Sequence, residues 1–385
     1  MKHIDSLNQK ERCSGCTACV YSCPKQCISI VEDNEGFSYP RVDASLCIDC
    51  GLCVKVCPFT KDDYKCSHTQ LAEPIVYAAK HKKDSVRLNS TSGGIFTSLS
   101  DYILTKNGVV CGAIFNPVTQ RVEHTIARSV EERDMMRGSK YVQSYLGDIF
   151  PTVKSFVEDN IEVLFTGAPC QTSGLLAFLR KDYPNLYVVD ILCHSVPSPV
   201  IAKDMINSYT LNATNIIFRD KSLGWRSSYG VKVIDDNGTY ADNHFLKLFW
   251  KGVICRPSCD KCNYTNTRRP SDITIGDYWG IHRVDSSFED TLGVSSILIN
   301  SKKGEALFAA IQNQMETLRT TLSDSLQDCL CRRAKSSYRR DSFWRDYQNK
   351  GYSYVADRYS KDTLFEIIKR DILAPVKKFL IKKLK

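Results

Sequence analysis

Cys13-Ser14-Gly15-Cys16-Thr17-Ala18-Cys19-Val20-Tyr21-Ser22-Cys23-Pro24 is repeated in pattern by Cys47-Ile48-Asp49-Cys50-Gly51-Leu52-Cys53-Val54-Lys55-Val56-Cys57-Pro58. Each run is C-x2-C-x2-C-x3-C-P. Three thiolates at this spacing let a tight loop wrap three irons of one 4Fe–4S cubane, while the fourth cysteine points away and ligates the neighbouring cluster. The proline ends the loop and turns the chain. Cys13, Cys16, Cys19 and Cys57 are therefore expected to hold one cluster, and Cys47, Cys50, Cys53 and Cys23 the other. Zinc held by CxxC pairs is the competing assignment, but it leaves the third cysteine of each run idle. Cys27 stands where an alanine would serve equally and reads as a small core residue. Cys66 reads as a bystander.

Outward from this module, the chain has 385 residues, a net charge of +9 and 18 cysteines. The segment Met1–Arg12 holds no apolar run suited to a signal peptide, and no stretch of about 18 apolar residues suggests a membrane span. So many cysteines without export signals point to a reducing compartment, where thiols serve metals or redox chemistry. The expected location is cytoplasmic. The basic excess is modest, and no motif implies nucleic acid. Clusters of this kind relay single electrons, so the remaining chain must supply or dock a two-electron partner.

Beyond a polar connector, the composition becomes that of an α/β protein. Val76–Ala79, Val109–Phe115, Ile161–Thr166 and Leu186–Leu192 read as strands, and a helix follows Cys170 as far as Arg180. Strand–helix–strand order predicts a partly parallel sheet. Ser295–Ile299 reads as the last strand and Lys302–Leu318 as a helix. Ser92-Gly93-Gly94 at a helix start is a candidate phosphate seat, because glycines admit close approach and free N–H groups favour an anion. A serine cap with adjacent glycines is the plainer reading. The segment Gly138–Ser144 adds Ser139, Lys140 and Tyr141, a mix suited to a dinucleotide. Neither GxGxxG nor a Walker A motif is present.

Cys170, Cys193, Cys259 and Cys262 fall at expected strand ends or turns. They suit a third 4Fe–4S cluster, with zinc or a redox CxxC pair as alternatives. Cys111 reads as core, and Cys329 and Cys331 as incidental. His194 reads as a hydrogen-bonded neighbour of Cys193 or as a proton donor. Arg219, Lys221 and Arg226 suit either an anionic ligand or solvent.

The stretches TSGG at 91–94, GSKYVQS at 138–144, FTGAPCQ at 165–171, DILCHSVPSP at 190–199, FRDKSLGWR at 218–226, RPSCDKC at 256–262 and DITIGDYWGI at 272–281 occur in this order. With EGFSYPRVD at 35–43, they make the chain resemble the coenzyme F420 hydrogenase/dehydrogenase beta-subunit family, in a form with an N-terminal double 4Fe–4S module. The resemblance implies FAD in the central domain, contacted by Ser92, Gly93, Gly94, Ser139, Lys140 and Tyr141. It also implies a third cluster on Cys170, Cys193, Cys259 and Cys262, with Cys255 as reserve ligand.

The fold class so implied is α+β. A bacterial-type two-cluster ferredoxin-like module at 1–66 precedes a mixed α/β flavin-binding domain, whose N-terminal part is 75–155 and whose C-terminal part is 156–330. A basic helical tail occupies 331–385. The implied function is an iron–sulfur flavoprotein oxidoreductase acting on coenzyme F420 or another small molecule. The alternative is a non-catalytic electron-transfer subunit of a partner enzyme. Expected partners are an electron donor or acceptor protein, or a deazaflavin or nicotinamide coenzyme. The tail interleaves arginines with Tyr338, Phe343, Trp344 and Tyr347. From Pro375 it reads as a basic amphipathic helix suited to peripheral contact with the inner face of a membrane. A helix packed on its own protein is the other reading.

Overall fold

The computed structural model describes residues 3–5, 10–60, 70–227 and 230–363. Its N-terminal module carries a two-stranded hairpin of β1 (Ile28–Glu32) and β2 (Ser38–Val42) between the cysteine loops. The larger part is built on β3 (Gln70–His81), β4 (Val109–Asn116), β5 (Arg121–Ala127), β6 (Val163–Gly167), β7 (Leu186–Ile191), β8 (Asn215–Ile217), β9 (Val231–Asp235), β10 (Gly238–Asp242), β11 (Ile273–Asp277), β12 (Ser295–Ser301) and β13 (Met315–Thr320). Eight strands form one sheet in the order β13-β3-β12-β11-β7-β6-β4-β5, and β10-β9-β8 form a small second sheet. The centre, β11-β7-β6-β4, is parallel. Antiparallel strands flank it on both sides.

The central strands are apolar on both faces because helices cover both faces. Successive side chains alternate. Val109, Cys111, Val163, Phe165 and Val188 pack under the helices Ile149–Glu158 and Pro169–Leu179. Val110, Leu164, Val189 and Ile273 pack under Ile95–Thr105 and Lys302–Ile311. Strands from 75–155 and 156–330 share this sheet, and the helix Ile149–Glu158 crosses the boundary between them.

Two expectations about the end of the sheet are corrected. The helix after β12 stops at Ile311, and β13 is the last strand, paired with β3. As an edge strand, β13 is largely exposed, so Met-Glu-Thr-Leu-Arg-Thr lacks the apolar run of an inner strand. The basic aromatic segment after Arg332 is also a packed element. The helical segment Arg340–Ser360, two helices meeting at a kink at Gly351 (φ 75), buries Phe343, Trp344, Tyr352, Val355 and Tyr359 against Phe245, Leu248 and Phe249. The amphipathic helix expected from Pro375 lies outside the described residues. Among the described residues, no helix is long and apolar enough to cross a membrane.

Among the side chains that join the module to the sheet domain is Arg256, 2% exposed. Its guanidinium donates to the Cys13 carbonyl at 2.7 Å, the Ser38 carbonyl at 2.9 Å and Gln143 Oε1 at 2.7 Å, and lies 4.4 Å over the Tyr39 ring. Gln143 in turn donates to the Ser14 carbonyl, and Arg340 forms a two-point ion pair with Glu35. Gly174 lets the helix Pro169–Leu179 press against the first cysteine loop, since a Cβ there would stand 2.7 Å from the Cys16 Cβ.

Arg256→Met keeps apolar bulk over Tyr39 but strips the Cys13 and Ser38 carbonyls of their charged donor. The expected cost is about 3 kcal/mol, read as a lower denaturant midpoint, with faster proteolytic release of the N-terminal module. An unchanged midpoint would show that Arg256 does not hold the module in place.

Candidate cluster sites and central cavity

The two cysteine loops have matching backbones. Positive φ occurs at Gly15 and Thr17 in the first loop, and at Asp49 and Gly51 in the second. In each, a short helix follows, Ala18–Tyr21 and Leu52–Lys55. This curl turns backbone N–H groups inward, a cradle for negative charge. Cys13, Cys16, Cys19 and Cys57 line one small cavity, and Cys23, Cys47, Cys50 and Cys53 line another. The structure thus brings together the two sets drawn from spacing, each with its fourth cysteine from the opposite run.

Burial pushes the Cys16 thiol up to about 12, with Cys57 and Cys13 acting in the same direction. Burial pushes Cys57 up to about 11. Thiolates so enclosed need cationic metal to neutralise them, and soft sulfur donors suit iron–sulfur clusters. Among the described residues, no three His, Cys, Asp or Glu side chains are arranged to hold a single metal ion.

Cys170 stands in the first turn of the helix Pro169–Leu179 after β6, Cys193 follows β7, and Cys259 lies within the turn Pro257–Lys261, with Cys262 directly after it. Burial holds the Cys170 thiol far above its usual range, reinforced by Cys193, Cys262 and Cys16, while Arg256 opposes the shift. Cys193 is pushed up to about 11 by burial and by Cys262, with Arg269 opposing. Cys259 senses Cys193, Cys255 and Cys262. The four thiols therefore converge from three separate elements. Arg269, 2% exposed, donates to the Tyr264 and Ile191 carbonyls and pairs with buried Asp190 at 3.2 Å. Its positive charge stands behind the thiol group. Cys255 lies beside the group but is engaged elsewhere, accepting from Ser195 Oγ at 3.1 Å and donating to the Phe249 carbonyl at 3.6 Å. Cys329, read as incidental, is buried within electrostatic reach of Cys193, whereas Cys331 is exposed.

A cavity of about 410 Å³ opens at the carboxyl ends of β6, β7 and β11, where Gly167, Ile191 and Asp277 line it. Ligand sites in open α/β sheets form at this edge. Ser92, Gly94, Ser139, Lys140 and Tyr141 line the cavity; Gly93 does not. The Gly93 N–H donates to Ser295 Oγ at 3.0 Å, and a Cβ there would lie 2.3 Å from the Ala79 carbonyl oxygen. That glycine serves close packing on the sheet. Ser92 Oγ is committed to the Val294 carbonyl at 2.8 Å. Gly94, at φ 91, starts the eleven-residue helix Ile95–Thr105, whose positive amino end faces the cavity.

Lys140 Nζ donates to the Met135 and Arg137 carbonyls at 2.9 and 2.7 Å, and burial pulls its pKa down to about 7. Tyr141 packs on Phe249 at 5.7 Å and Trp250 at 6.2 Å. His124, buried and bonded through Nε2 to the Thr166 carbonyl, is pulled down to about 4 and stays neutral. At the other end, Trp279 stacks on Trp225 at 4.7 Å and 7°. Arg219 lies 4.8 Å over Trp279 and pairs with Asp277, and Arg226 borders the same rings. Lys221 does not line the cavity; it donates to the Arg87, Ser90 and Leu292 carbonyls. His194 lines the cavity edge-on to Trp250 at 5.9 Å. No described residue hydrogen-bonds its ring, unlike the neighbour expected from sequence. Cys193 also lines the cavity, so the third thiol group and the cavity share a wall.

Sequence reasoning missed Trp250, Trp279, Phe249 and His124 as cavity residues. Phe249 and Trp250 end the apolar run Phe245–Trp250, which reads as core, His124 sits within a strand, and only the glycine-framed turn around Trp279 offered a signal.

Residues 76–149 match the amino-terminal domain, and residues 161–323 the carboxy-terminal domain, of the family described as coenzyme F420 hydrogenase/dehydrogenase, beta subunit. Residues 12–61 match a 4Fe-4S dicluster domain. Among curated proteins, the chain is similar to an uncharacterized protein of Methanocaldococcus jannaschii, 27% identical over 213 residues. That alignment spans 47% of this chain and 58% of the relative's length. An uncharacterized protein from the rpl9-rpl11 intergenic region of Porphyra purpurea is 38% identical over 50 residues, 12% of this chain and 67% of that protein. Among solved structures, a chain of the F420-reducing NiFe hydrogenase complex from Methanosarcina barkeri aligns with 18% identity and a TM-score of 0.46. The alignment covers 67% of this chain and 84% of that one. The chain belongs to the coenzyme F420 hydrogenase/dehydrogenase beta-subunit family and carries a 4Fe-4S dicluster domain.

Proposed function

We propose that this chain is an iron–sulfur flavoprotein oxidoreductase, moving electrons between a one-electron carrier at the ferredoxin module and a small two-electron substrate at the central cavity. The observation that carries this reading is the continuous placement of thiols. Cys50 is exposed, Cys16 is buried against the helix that begins beside Cys170, Cys170 senses Cys16 and Cys193, and Cys193 lines the cavity. Such an order suits three clusters: one on Cys47, Cys50, Cys53 and Cys23, one on Cys13, Cys16, Cys19 and Cys57, and one on Cys170, Cys193, Cys259 and Cys262.

The cavity fits a flavin dinucleotide. Its volume lies in the usual range for small-molecule sites. One wall offers a helix amino end, the backbone around open Gly138 and the Lys140 side chain, groups that hold phosphates. Bound FAD would supply the exchange between paired and single electrons that clusters lack. Ser139 and Lys140 would hold the phosphates and Tyr141 would border the rings, with Cys193 at the cluster side. Trp279, with its indole face backed by Trp225 and bordered by Arg219 and Arg226, would receive a planar anionic substrate. Coenzyme F420 has this character, as does a nicotinamide coenzyme. Exposed Leu46 and Ile48 beside Cys47, at 56% and 57% exposure, favour a protein partner at the module surface. They also keep open a role as an electron-transfer subunit. Turnover of a physiological substrate by the isolated chain separates the two roles.

Anaerobically purified protein is expected to hold about twelve irons, from three cubanes, and one FAD. Cys53→Ser, Cys16→Ser and Cys262→Ser should each lose about four irons. A wild-type content of about eight irons, from two cubanes, without flavin even after reconstitution, would leave a two-cluster carrier.

FAD affinity should also depend on pH through Lys140. A phosphate selects the charged ammonium. Below pH 7 that charge is already present, whereas above it each binding event must take up a proton. Affinity should therefore fall between pH 7 and 9, by at most about tenfold per pH unit. Fluorescence titration of wild type against Lys140→Met checks this: the variant should bind more weakly with a flat profile, and a variant that keeps the slope would remove Lys140 from the phosphate site.

A further inference from the structure

Cys27 is the fifth thiol of a four-thiol site. It is 5% exposed and lines the same small cavity as Cys23, Cys47, Cys50 and Cys53. Its Sγ stands 3.4 Å from the Sγ of Cys23, within sulfur hydrogen-bond distance. The backbone holds it there. Gln26, at φ 50, turns the chain back after Pro24, and the Cys27 carbonyl accepts from the Asp43 N–H at 2.8 Å across the base of the β1–β2 hairpin. Packing alone asks only for a small side chain at this point. The other cysteine run has Lys61 at the corresponding position, so its crossing cysteine, Cys57, has no such thiol in its sequence neighbourhood.

We propose that the Cys27 thiol donates a hydrogen bond to the sulfur of Cys23 and, through it, raises the reduction potential of the cluster held by Cys23, Cys47, Cys50 and Cys53. The direction of the bond follows from chemistry. An iron-bound thiolate carries no proton, so Cys27 is the only member of the pair that can donate. The direction of the shift follows from electrostatics. Reduction adds negative charge to the cluster and its sulfurs, and a donor aimed at a ligand sulfur stabilises the more negative state. Cys27 is thus a positioning residue acting through Cys23, and it distinguishes two clusters whose ligand patterns are otherwise the same. The inference rests on the ligand assignment proposed above.

The test is an EPR-monitored potentiometric titration of the full chain, loaded anaerobically, with iron counted in every sample. Cys27→Ala removes the donor, Cys27→Val removes it while filling the space, and Cys27→Ser keeps a donor. In the alanine and valine variants, one iron–sulfur wave should move to more negative potential with the others in place, and serine should return that wave towards the wild-type value. Should alanine fail to load, valine carries the same comparison. Full iron content with no wave displaced in alanine or valine would overturn the inference. So would loss of about four irons, the content of one cubane, in all three variants, because Cys27 would then be a structural requirement. Wild-type protein holding fewer than about eight irons, the content of two cubanes, would instead remove the cluster assignment itself, a failure visible before any potential is measured.

Discussion

The buried guanidinium of Arg256 joins the separate parts of this protein. It reaches the Cys13 carbonyl and the Ser38 carbonyl in the N-terminal module, and Gln143 in the segment that forms one wall of the cavity. Its own carbonyl accepts from the Cys259 N–H, and its charge opposes the upward shift of the Cys170 thiol. A planar cation with five donors can satisfy several acceptors in fixed directions, which a lysine cannot do. The cost of burying the charge is offset by carbonyl dipoles and by the Tyr39 ring beneath it. One side chain therefore touches the first cysteine loop, the cavity wall and the turn of the third thiol group, alongside the Gln143 bond to Ser14 and the Arg340–Glu35 pair.

The parallel centre of the sheet decides where chemistry can gather. Because β6, β7 and β11 run the same way, their carboxyl ends lie side by side, and the residues following them meet at one edge. Cys170 and Cys193 come together for this reason. Cys259 and Cys262 join them from a turn whose approach is fixed by pairing between Pro197 and Cys255. Arg269 and Asp190 form the charged floor behind these thiols. The site depends on strand direction as much as on residue type.

Two readings show how local signals mislead. Ser92-Gly93-Gly94 has the composition of a phosphate seat, yet Gly93 is there because the chain passes too close to Ala79 for any side chain. A glycine needed for ligand approach and one needed for packing look alike in sequence. The aromatic and basic residues after Arg332 read only as a basic helical tail, with no sign of what they pack against. In the fold, Phe343, Trp344 and Tyr347 pack in one cluster with Phe245 and Phe249 and Tyr338 stays exposed, while Arg340 secures Glu35 of the module. Their alternation with basic residues reflects a helix with one buried face.

The sequence by itself determined the two N-terminal cluster loops, because all but one ligand of each lie within a few residues and spacing alone sets their geometry. It also determined β4, β6 and β7 of the sheet centre, whose apolar runs need no partner to be recognised, whereas β11, Ile-Thr-Ile-Gly-Asp, has no such run. Only the tertiary structure decided that Cys170, Cys193, Cys259 and Cys262 lie within electrostatic reach of one another, that Cys193 also borders the cavity, and that Trp250 and Trp279 line it. These residues are far apart along the chain, and their meeting depends on strand order and direction. It decided too that Cys27 stands 3.4 Å from Cys23, an approach that comes from a backbone turn composition does not encode.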